Sequence, residues 1–195
     1  MADGKETKFW EWFEANERML YEFETDRERI FDLLLREMRE VDSRLVFEIG
    51  RVEDGGWREF VISADGLKEA FPAVENLFAE APQMERWKFV KFRPRRQPMG
   101  ICIGERCTSP EEVHFRLFHE GNKIGILLFF KDFDPEDKEF FLQVGYLMLD
   151  EALGEYTVET EVGFVEFADR SSEYLDEELS LPVLAREFDY ALMKK

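Results

Sequence analysis

Cysteine and histidine are scarce in this sequence, with two of each among 195 residues. Two cysteines cannot form the disulfide framework that stabilises many small secreted proteins. The first ten residues, MADGKETKFW, lack the apolar segment of a secretory signal peptide. No apolar run approaches the roughly 20 residues that a membrane-spanning helix needs. These absences predict a cytoplasmic protein that has no membrane segment.

Positive charge is also in short supply, because 26 Lys and Arg residues are outnumbered by 44 Asp and Glu residues. The net charge of -18 argues against direct binding to nucleic acid or to an anionic membrane, since both need positive charge to displace counterions. It permits a basic protein partner or imitation of a nucleic-acid backbone. The ordinary explanation of the negative charge is that it keeps the protein soluble, since net charge bears on solubility before it bears on any function.

The sequence has none of the short motifs that mark common enzymes. No G-x-S-x-G, H-E-x-x-H or Walker-type loop occurs, and the pair Gly100 and Gly104 is too short a pattern to bind phosphate. Acidic pairs such as Asp150 and Glu151 have the chemistry for acid and base catalysis, but 44 acidic residues give no basis for choosing one pair. No cofactor is predicted, and catalysis is left open.

The centre of the chain contains a complete strand, helix and strand. Residues 124–130 are almost wholly apolar, which is typical of a strand buried on both faces. Asp134, followed by proline, predicts a helix start, and Gly154 predicts the end of that helix after an apolar stripe at helical spacing. Residues 156–167 alternate between apolar and polar, which predicts a strand, and their change of parity after Gly163 predicts a bulge.

The order of two strands, a helix and a strand occurs twice in the sequence. Strands are predicted at residues 45–51, 57–64, 86–94, 113–120 and 123–133, with turns at Asp-Gly-Gly and Glu-Gly-Asn. Together with the strand at 156–167, they predict two ββαβ units, at residues 45–94 and 113–167. The predicted fold class is therefore α+β, with a largely antiparallel sheet.

Amphipathic helices flank the predicted sheet. Residues 8–23 and 26–41 carry apolar stripes at helical spacing, and residues after Pro182 form a last amphipathic helix. These helices cover a sheet face in one interpretation and bind a partner in the other. Residues 171–180 predict an acidic surface connection. The length favours a single domain over 1–195, divided into 1–43, 45–94, 113–167 and 171–195.

Two residues, Asp26 and Pro72, bear on where helices start. Asp26 is positioned to cap the helix at 26–41. Pro72 lies inside an apolar pattern at helical spacing between Asp65 and Pro82. Because proline cannot supply an interior amide hydrogen, either a new helix starts there or one helix kinks.

The basic residues form one patch, in the segment WKFVKFRPRRQP. It contains Lys88, Lys91, Arg93, Arg95 and Arg96. Guanidinium groups bind phosphate and carboxylate in a bidentate manner, so Arg93, Arg95 and Arg96, helped by Lys91, are candidates for holding an anionic ligand. The ordinary alternative is a set of surface ion pairs with the many nearby carboxylates.

All cysteines and histidines fall within 18 consecutive residues, as Cys102, Cys107, His114 and His119. Thiolate and imidazole together suit Zn²⁺, so these four residues are a candidate metal site. The spacing is not that of a standard zinc finger, and the odd separation of the two histidines places them on opposite faces of a strand. The alternative is two buried thiols and two surface imidazoles.

Four stretches give the chain a resemblance to a known group of proteins. They are FWEWFEANE at residues 9–17, REFVISADG at 58–66, FRPRR at 92–96 and MLDEALGEY at 148–156. With them the chain resembles a group of small bacterial proteins of unknown function. The resemblance implies a bacterial, intracellular, single-domain protein, and it supplies no activity, cofactor or site residues. The segment with both cysteines lies outside these stretches.

The functional expectation is a non-enzymatic binding or regulatory module for a protein partner. The contact features would be the acidic surface and the segment from Arg93 to Arg96. The alternative is an enzyme or small-ligand binder that holds an anionic ligand through Arg93, Arg95 and Arg96. An exposed Trp10 would favour the partner-binding interpretation, because exposed large aromatic residues mark interaction surfaces.

Overall fold

The structure is a computed structural model that describes residues 4–131, 133–170 and 179–194. It has the predicted α+β fold. The chain forms two compact units, Met1–Arg93 and Pro94–Lys195, which we call unit 1 and unit 2. The behaviour of the whole chain as a single domain stays a prediction. In the described part of the chain, no helix has both the length and the apolar character needed to cross a membrane.

The described residues of unit 1 form four α-helices and a three-stranded mixed sheet. Its elements are α1 (Lys5–Ala15), α2 (Glu17–Tyr21), α3 (Arg27–Val41), β1 (Val46–Ile49), β2 (Arg58–Ser63), α4 (Phe71–Ala79) and β3 (Trp87–Lys91). Strand β2 lies in the middle, antiparallel to β1 and parallel to β3. The turn after β1 contains Gly55 and Gly56 with positive φ, which glycine adopts without a steric penalty.

The N-terminal aromatic residues lie in the core of unit 1. The helix predicted at residues 8–23 is divided at Asn16, and the aromatic face of α1 is buried at Phe9, Trp10 and Phe13. The indole Nε1 of Trp10 donates a hydrogen bond of 2.7 Å to the Leu77 carbonyl oxygen. Trp10 is therefore a buried core residue, so it does not support the partner-binding interpretation.

Two details of the helix starts in unit 1 differ from or refine the sequence analysis. Helix α3 has the predicted extent, but the Asp26 side chain makes no capping hydrogen bond. That side chain lies 3.8 Å from the Arg29 guanidinium instead. At Pro72 a new helix starts, because α4 begins at Phe71 and places the proline in its first turn, where the missing amide hydrogen has no cost.

The described residues of unit 2 form a four-stranded mixed sheet, a separate two-stranded hairpin and three α-helices. Its elements are β4 (Ile101–Ile103), β5 (Arg106–Thr108), β6 (His114–Glu120), β7 (Lys123–Phe130), α5 (Lys138–Leu153), α6 (Glu155–Glu161), β8 (Val162–Asp169), β9 (Leu179–Ser180) and α7 (Leu184–Met193). The larger sheet has the order β8-β7-β6-β9. Strand β7 is antiparallel to β6 and parallel to β8. The described strands thus form two mixed sheets and one antiparallel hairpin, whereas the sequence analysis predicted one largely antiparallel sheet.

The central segment of unit 2 follows the sequence analysis up to Gly154. Strand β7 is buried at every residue from Ile124 to Phe130, and α5 lies against one face of it. The Asp134 side chain accepts a hydrogen bond of 2.8 Å from the Glu136 amide before α5 begins. Gly154 ends α5 with a φ of 80°.

The strand predicted at residues 156–167 is wrong in its first half. Residues 155–161 form α6, and β8 begins only at Val162. Both Val158 and Val162 are buried. They are four residues apart, a spacing that places both on one face of a helix as readily as on one face of a strand, so tertiary packing decided between the two.

The predicted bulge is confirmed in β8. Ile124 pairs with Val162 and Ile126 pairs with Val165, so β8 contains one more residue than β7 between these pairs. Phe164, inside the bulge, lies over Gly125, where an added Cβ atom would come within 2.1 Å of the ring. The glycine in the otherwise bulky β7 therefore makes room for an aromatic ring.

The predicted acidic connection at residues 171–180 lies outside the described residues, apart from Leu179 and Ser180 in β9. The C-terminal helix α7 is present, and it buries Leu184 and Phe188 in the core of unit 2. It packs on the sheet, as the first of the two interpretations predicted.

Candidate functional site

The residues of the basic patch that belong to unit 1 pair with carboxylates of unit 1. Arg93 donates from Nε to Glu48 at 2.6 Å, and its Nη1 lies 2.9 Å from an oxygen of Asp65. Lys91 lies 3.4 Å from a Glu75 oxygen. Burial alone would lower the pKa of Arg93, but the hydrogen bonds and charges of Glu48 and Asp65 raise it. Arg93 therefore joins β1 to the loop after β2 as a charged residue.

Arg95 and Arg96 belong to unit 2, and they too contact their own unit. The Nη1 atom of Arg95 lies 2.8 and 2.9 Å from the two carboxylate oxygens of Asp189, and its Nε donates to the Leu153 carbonyl oxygen. The amide of Arg96 donates to the Glu151 carbonyl oxygen at 2.6 Å. These contacts fit the ion-pair interpretation of the basic patch better than the ligand interpretation.

The two cysteines form a disulfide instead of a metal site or a pair of buried thiols. Cys102 in β4 and Cys107 in β5 are cross-strand neighbours, joined by a bond between their sulfur atoms. Both residues are exposed. Zinc binds thiolates, and a disulfide has none. The sequence analysis predicted neither the hairpin nor the bond, because strands of three residues give almost no periodic signal.

The histidines lie on opposite faces of β6, as predicted. His114 pairs with Phe129 and His119 with Ile124, five positions further along the strand. The Nε2 atom of His114 lies 3.0 Å from Nη2 of Arg170, and His119 is exposed. Among the described residues, no three His, Cys, Asp or Glu side chains are placed to hold a metal ion. The four predicted zinc ligands are thus not brought together.

A cavity of about 280 Å³ lies beside the disulfide, and we call it the hairpin cleft. It is lined by Arg106, Cys107, Thr108, Glu112, Phe130, Lys131, Phe140 and Phe141. The guanidinium carbon of Arg106 lies 3.6 Å from the centre of the Phe140 ring, and Arg106 also pairs with Asp137. These contacts fix the hairpin against the start of α5.

The lining of the hairpin cleft contains one carboxylate, that of Glu112, and two cationic side chains, those of Arg106 and Lys131. The backbone amide and hydroxyl of Ser109 donate to Glu112 and lower the pKa of its carboxyl group, with a smaller contribution from Lys131. This reciprocal capping box begins the short 3₁₀ turn Pro110–Glu112. Its signature, Ser-x-x-Glu, is legible in the sequence and would have located this turn.

A second cavity, of about 360 Å³, lies between β6, β9 and α7, and we call it the β6 groove. It is lined by Phe115, Arg116, Leu117, His119, Leu179, Glu187, Tyr190, Ala191 and Lys194. Leu179 is 43% exposed and Tyr190 is 54% exposed. The ammonium group of Lys194 lies 4.0 Å from the centre of the Tyr190 ring. Apolar side chains are thus presented to solvent beside basic ones.

The described strands pair with only part of the outer edge of β6. Strand β9 pairs with β6 at His114 and Phe115, whereas β7 pairs with β6 along its whole length. From Leu117 to Glu120, no strand pairs with this outer edge among residues 4–131, 133–170 and 179–194. An unpaired strand edge presents amide and carbonyl groups that can bond another strand. The sequence analysis missed this groove, because helix α7 and strand β6 are far apart in the chain.

No protein-family model, curated protein or solved structure matches this chain. The resemblance to small bacterial proteins of unknown function therefore stays a prediction.

Proposed function

We propose that the protein is a non-enzymatic binding module, and that unit 2 binds an extended segment of a partner protein in the β6 groove. The observation that carries this proposal is the combination, at one place, of exposed Leu179 and Tyr190 with a strand edge that no described strand pairs from Leu117 to Glu120. Addition of a strand to a sheet edge is a recurrent way to bind a peptide. The backbone supplies the hydrogen bonds, and pockets beside the edge select side chains.

The bound segment runs antiparallel to β6, in the direction of β9. Strand β9 already has this orientation at His114 and Phe115. A partner strand beside residues 117–120 extends the sheet by the same hydrogen-bond pattern. Alternate side chains of that strand point to one face, where Leu117, Tyr190 and Ala191 form the apolar lining. One apolar residue at every second position therefore fits the groove.

The lining also favours acidic residues in the partner segment. Arg116 and Lys194 carry positive charge, and Glu187 carries negative charge. The groove is thus locally basic in a chain with a net charge of -18. A partner that is acidic throughout would be repelled by the rest of the surface, so we expect one or two acidic residues among neutral ones. Added salt should weaken such a contact.

A displayed library of random peptides, selected on the full-length protein, tests this proposal. We expect the selected peptides to alternate apolar residues with polar or acidic ones. Binding of a selected peptide should fall tenfold or more for Tyr190→Ala, because a truncated aromatic anchor costs about 1.4 kcal/mol or more. Tyr156→Ala is the matched control, since Tyr156 is 50% exposed and does not line the groove.

Two results would count against the proposal. One is equal loss of binding for Tyr156→Ala and Tyr190→Ala. The other is unchanged binding by a peptide that is N-methylated at alternate residues, because methylation removes the amide hydrogens that a strand on the β6 edge must donate. Selection of peptides that bind only unit 1 would likewise remove the groove as the binding site.

The alternative proposal is an anionic ligand held by Arg93, Arg95 and Arg96. Such a ligand would have to replace Glu48 and Asp65 at Arg93 and Asp189 at Arg95, since those carboxylates already accept hydrogen bonds there. Inorganic phosphate titrated into the protein and into Arg95→Glu distinguishes the cases. Binding that is lost in the variant supports the alternative, and no saturable binding to either protein removes it.

A further inference from the structure

The hairpin of β4 and β5 presents the disulfide of Cys102 and Cys107 to solvent. The two residues face each other across the strands, with only four residues between them in the chain. Both are exposed. A thiol from another molecule can therefore approach either sulfur atom without unfolding of the chain. Exposed disulfides are the ones that most often serve regulation or catalysis, whereas buried ones serve stability.

The hairpin is held in place by contacts other than its disulfide. Ile101 and Ile103 of β4 pack against the core of unit 2. Arg106 of β5 pairs with Asp137 and stacks on Phe140. A bond that closes so short a loop removes less entropy from the unfolded chain than one that closes a long loop. Opening the disulfide should therefore leave the fold of unit 2 intact.

Cys107 lines the hairpin cleft together with two cationic side chains, Arg106 and Lys131. The thiolate is the reactive form of cysteine, and nearby cations favour it over the thiol. Glu112 lines the same cleft and Asp137 pairs with Arg106, so groups of both charges lie near Cys107.

We propose that Cys102 and Cys107 are a reversible thiol–disulfide exchange site, whose reaction partner is a dithiol or a pair of small thiols. A thiolate attacks one sulfur of the disulfide, forms a mixed disulfide and releases the other cysteine as a thiolate, which takes up a proton. A second thiol then attacks the mixed disulfide. The products are the two protein thiols and one oxidised disulfide of the reductant, so two electrons and two protons are transferred.

The reduced and oxidised states differ at the wall of the hairpin cleft. In the oxidised state the two sulfur atoms are fixed together, and in the reduced state Cys107 carries a thiol at the cavity. This site shares no lining residue with the β6 groove. The inference is therefore independent of the proposed peptide binding, and either can fail without the other.

Equilibration of the full-length protein in glutathione buffers of graded redox ratio tests the inference. Acid quenching, thiol alkylation and intact-mass measurement give the fraction of molecules with the disulfide. We expect this fraction to fall from nearly all to nearly none across the series, with one midpoint. Cys102→Ser should form a mixed disulfide with glutathione at Cys107. A fraction that stays constant at all ratios, whether fully oxidised or fully reduced, would overturn the inference.

The rate of reduction supplies a second test. Dithiothreitol should reduce the native protein within about tenfold of the rate for the chain in denaturant, because an exposed bond needs no unfolding. The reduced protein should keep its circular dichroism spectrum, as should Cys102→Ser/Cys107→Ser. Native reduction that is a thousandfold slower, or loss of the fold on reduction, would show a structural bond and would contradict exchange.

Discussion

Replacement of Arg93 by methionine should destabilise unit 1 strongly. The Arg93 side chain is 17% exposed and bonds the Glu48 carboxylate of β1 and the Asp65 carboxylate of the loop after β2. A hydrogen bond between charged groups contributes about 1.5–3 kcal/mol when partly buried. Asp65 is 64% exposed, so solvent screens its share. We therefore expect Arg93→Met to lower the free energy of unfolding by about 2–3 kcal/mol.

Two further variants separate the charge of Arg93 from its shape. Arg93→Lys keeps the positive charge but has no planar fork that reaches both carboxylates, so it should cost about 1–2 kcal/mol. Arg18→Met is the matched control in the same unit. Arg18 also pairs with a carboxylate, that of Glu22, but its side chain is 86% exposed. Its loss should therefore change stability by less than about 0.5 kcal/mol.

Urea unfolding followed by tryptophan fluorescence is the assay, because all four tryptophans lie in unit 1, at positions 10, 12, 57 and 87. The midpoint should move to lower urea for Arg93→Met with little change in slope. An Arg93→Met variant as stable as Arg18→Met would refute the reasoning. Arg93 would then contribute little to the fold, and the anionic-ligand alternative would gain support.

Three other substitutions test local features of the structure. The Arg44 side chain and amide donate hydrogen bonds to Asp42 and lower its pKa from 3.8 to about 2. Asp42→Asn should therefore cost about 1 kcal/mol at pH 7, after allowance for solvent screening. That difference should shrink as the pH falls from 4 towards 2, which urea unfolding at each pH measures. Gly125→Ala should lower the free energy of unfolding by about 1–3 kcal/mol, because the added Cβ atom would meet the Phe164 ring. The double variant Gly125→Ala/Phe164→Leu should recover part of this loss, as thermal unfolding measures. Ser109→Ala removes a hydrogen bond of the capping box and should lower the free energy of unfolding by about 0.5–2 kcal/mol in the same measurement. A variant as stable as the original protein would contradict this prediction.

The parts of the fold that could be predicted from the sequence are those with strong local signals. The continuous apolar run in β7 is typical of a strand buried on both faces, and α3 shows one long apolar stripe. The Asp-Gly-Gly turn and the Glu-Gly-Asn turn located two strand pairs. These signals depend on nearest neighbours in the chain, so they need no knowledge of the tertiary structure.

The features that could not be predicted depend on contacts between distant residues. The spacing of Val158 and Val162 fits either a helix or a strand, and packing in unit 2 selected the helix. The short β4 and β5 strands have no periodic pattern, so neither the hairpin nor its disulfide could be predicted from the sequence. Sequence analysis did place Arg93 in a charged environment, but which carboxylates it bonds depends on the arrangement of β1 and β2.

The same difference between local signals and contacts of distant residues applies to the candidate sites. The composition correctly indicated that arginines would find carboxylates in so acidic a chain, as Arg95 does at Asp189. The β6 groove is formed by Leu117 and Tyr190, which are 73 positions apart in the printed sequence. A surface assembled from such distant residues has no local signature.

Hydrogen exchange at the backbone amides of β6 tests the central proposal most directly. The measurement compares the full-length protein alone and with a peptide selected from the random library. Binding by strand addition should slow exchange at amides within residues 117–120, because the partner strand accepts their hydrogen bonds. Exchange in β1, in unit 1, should not change. A saturating peptide that leaves residues 117–120 unprotected would contradict binding at the β6 edge.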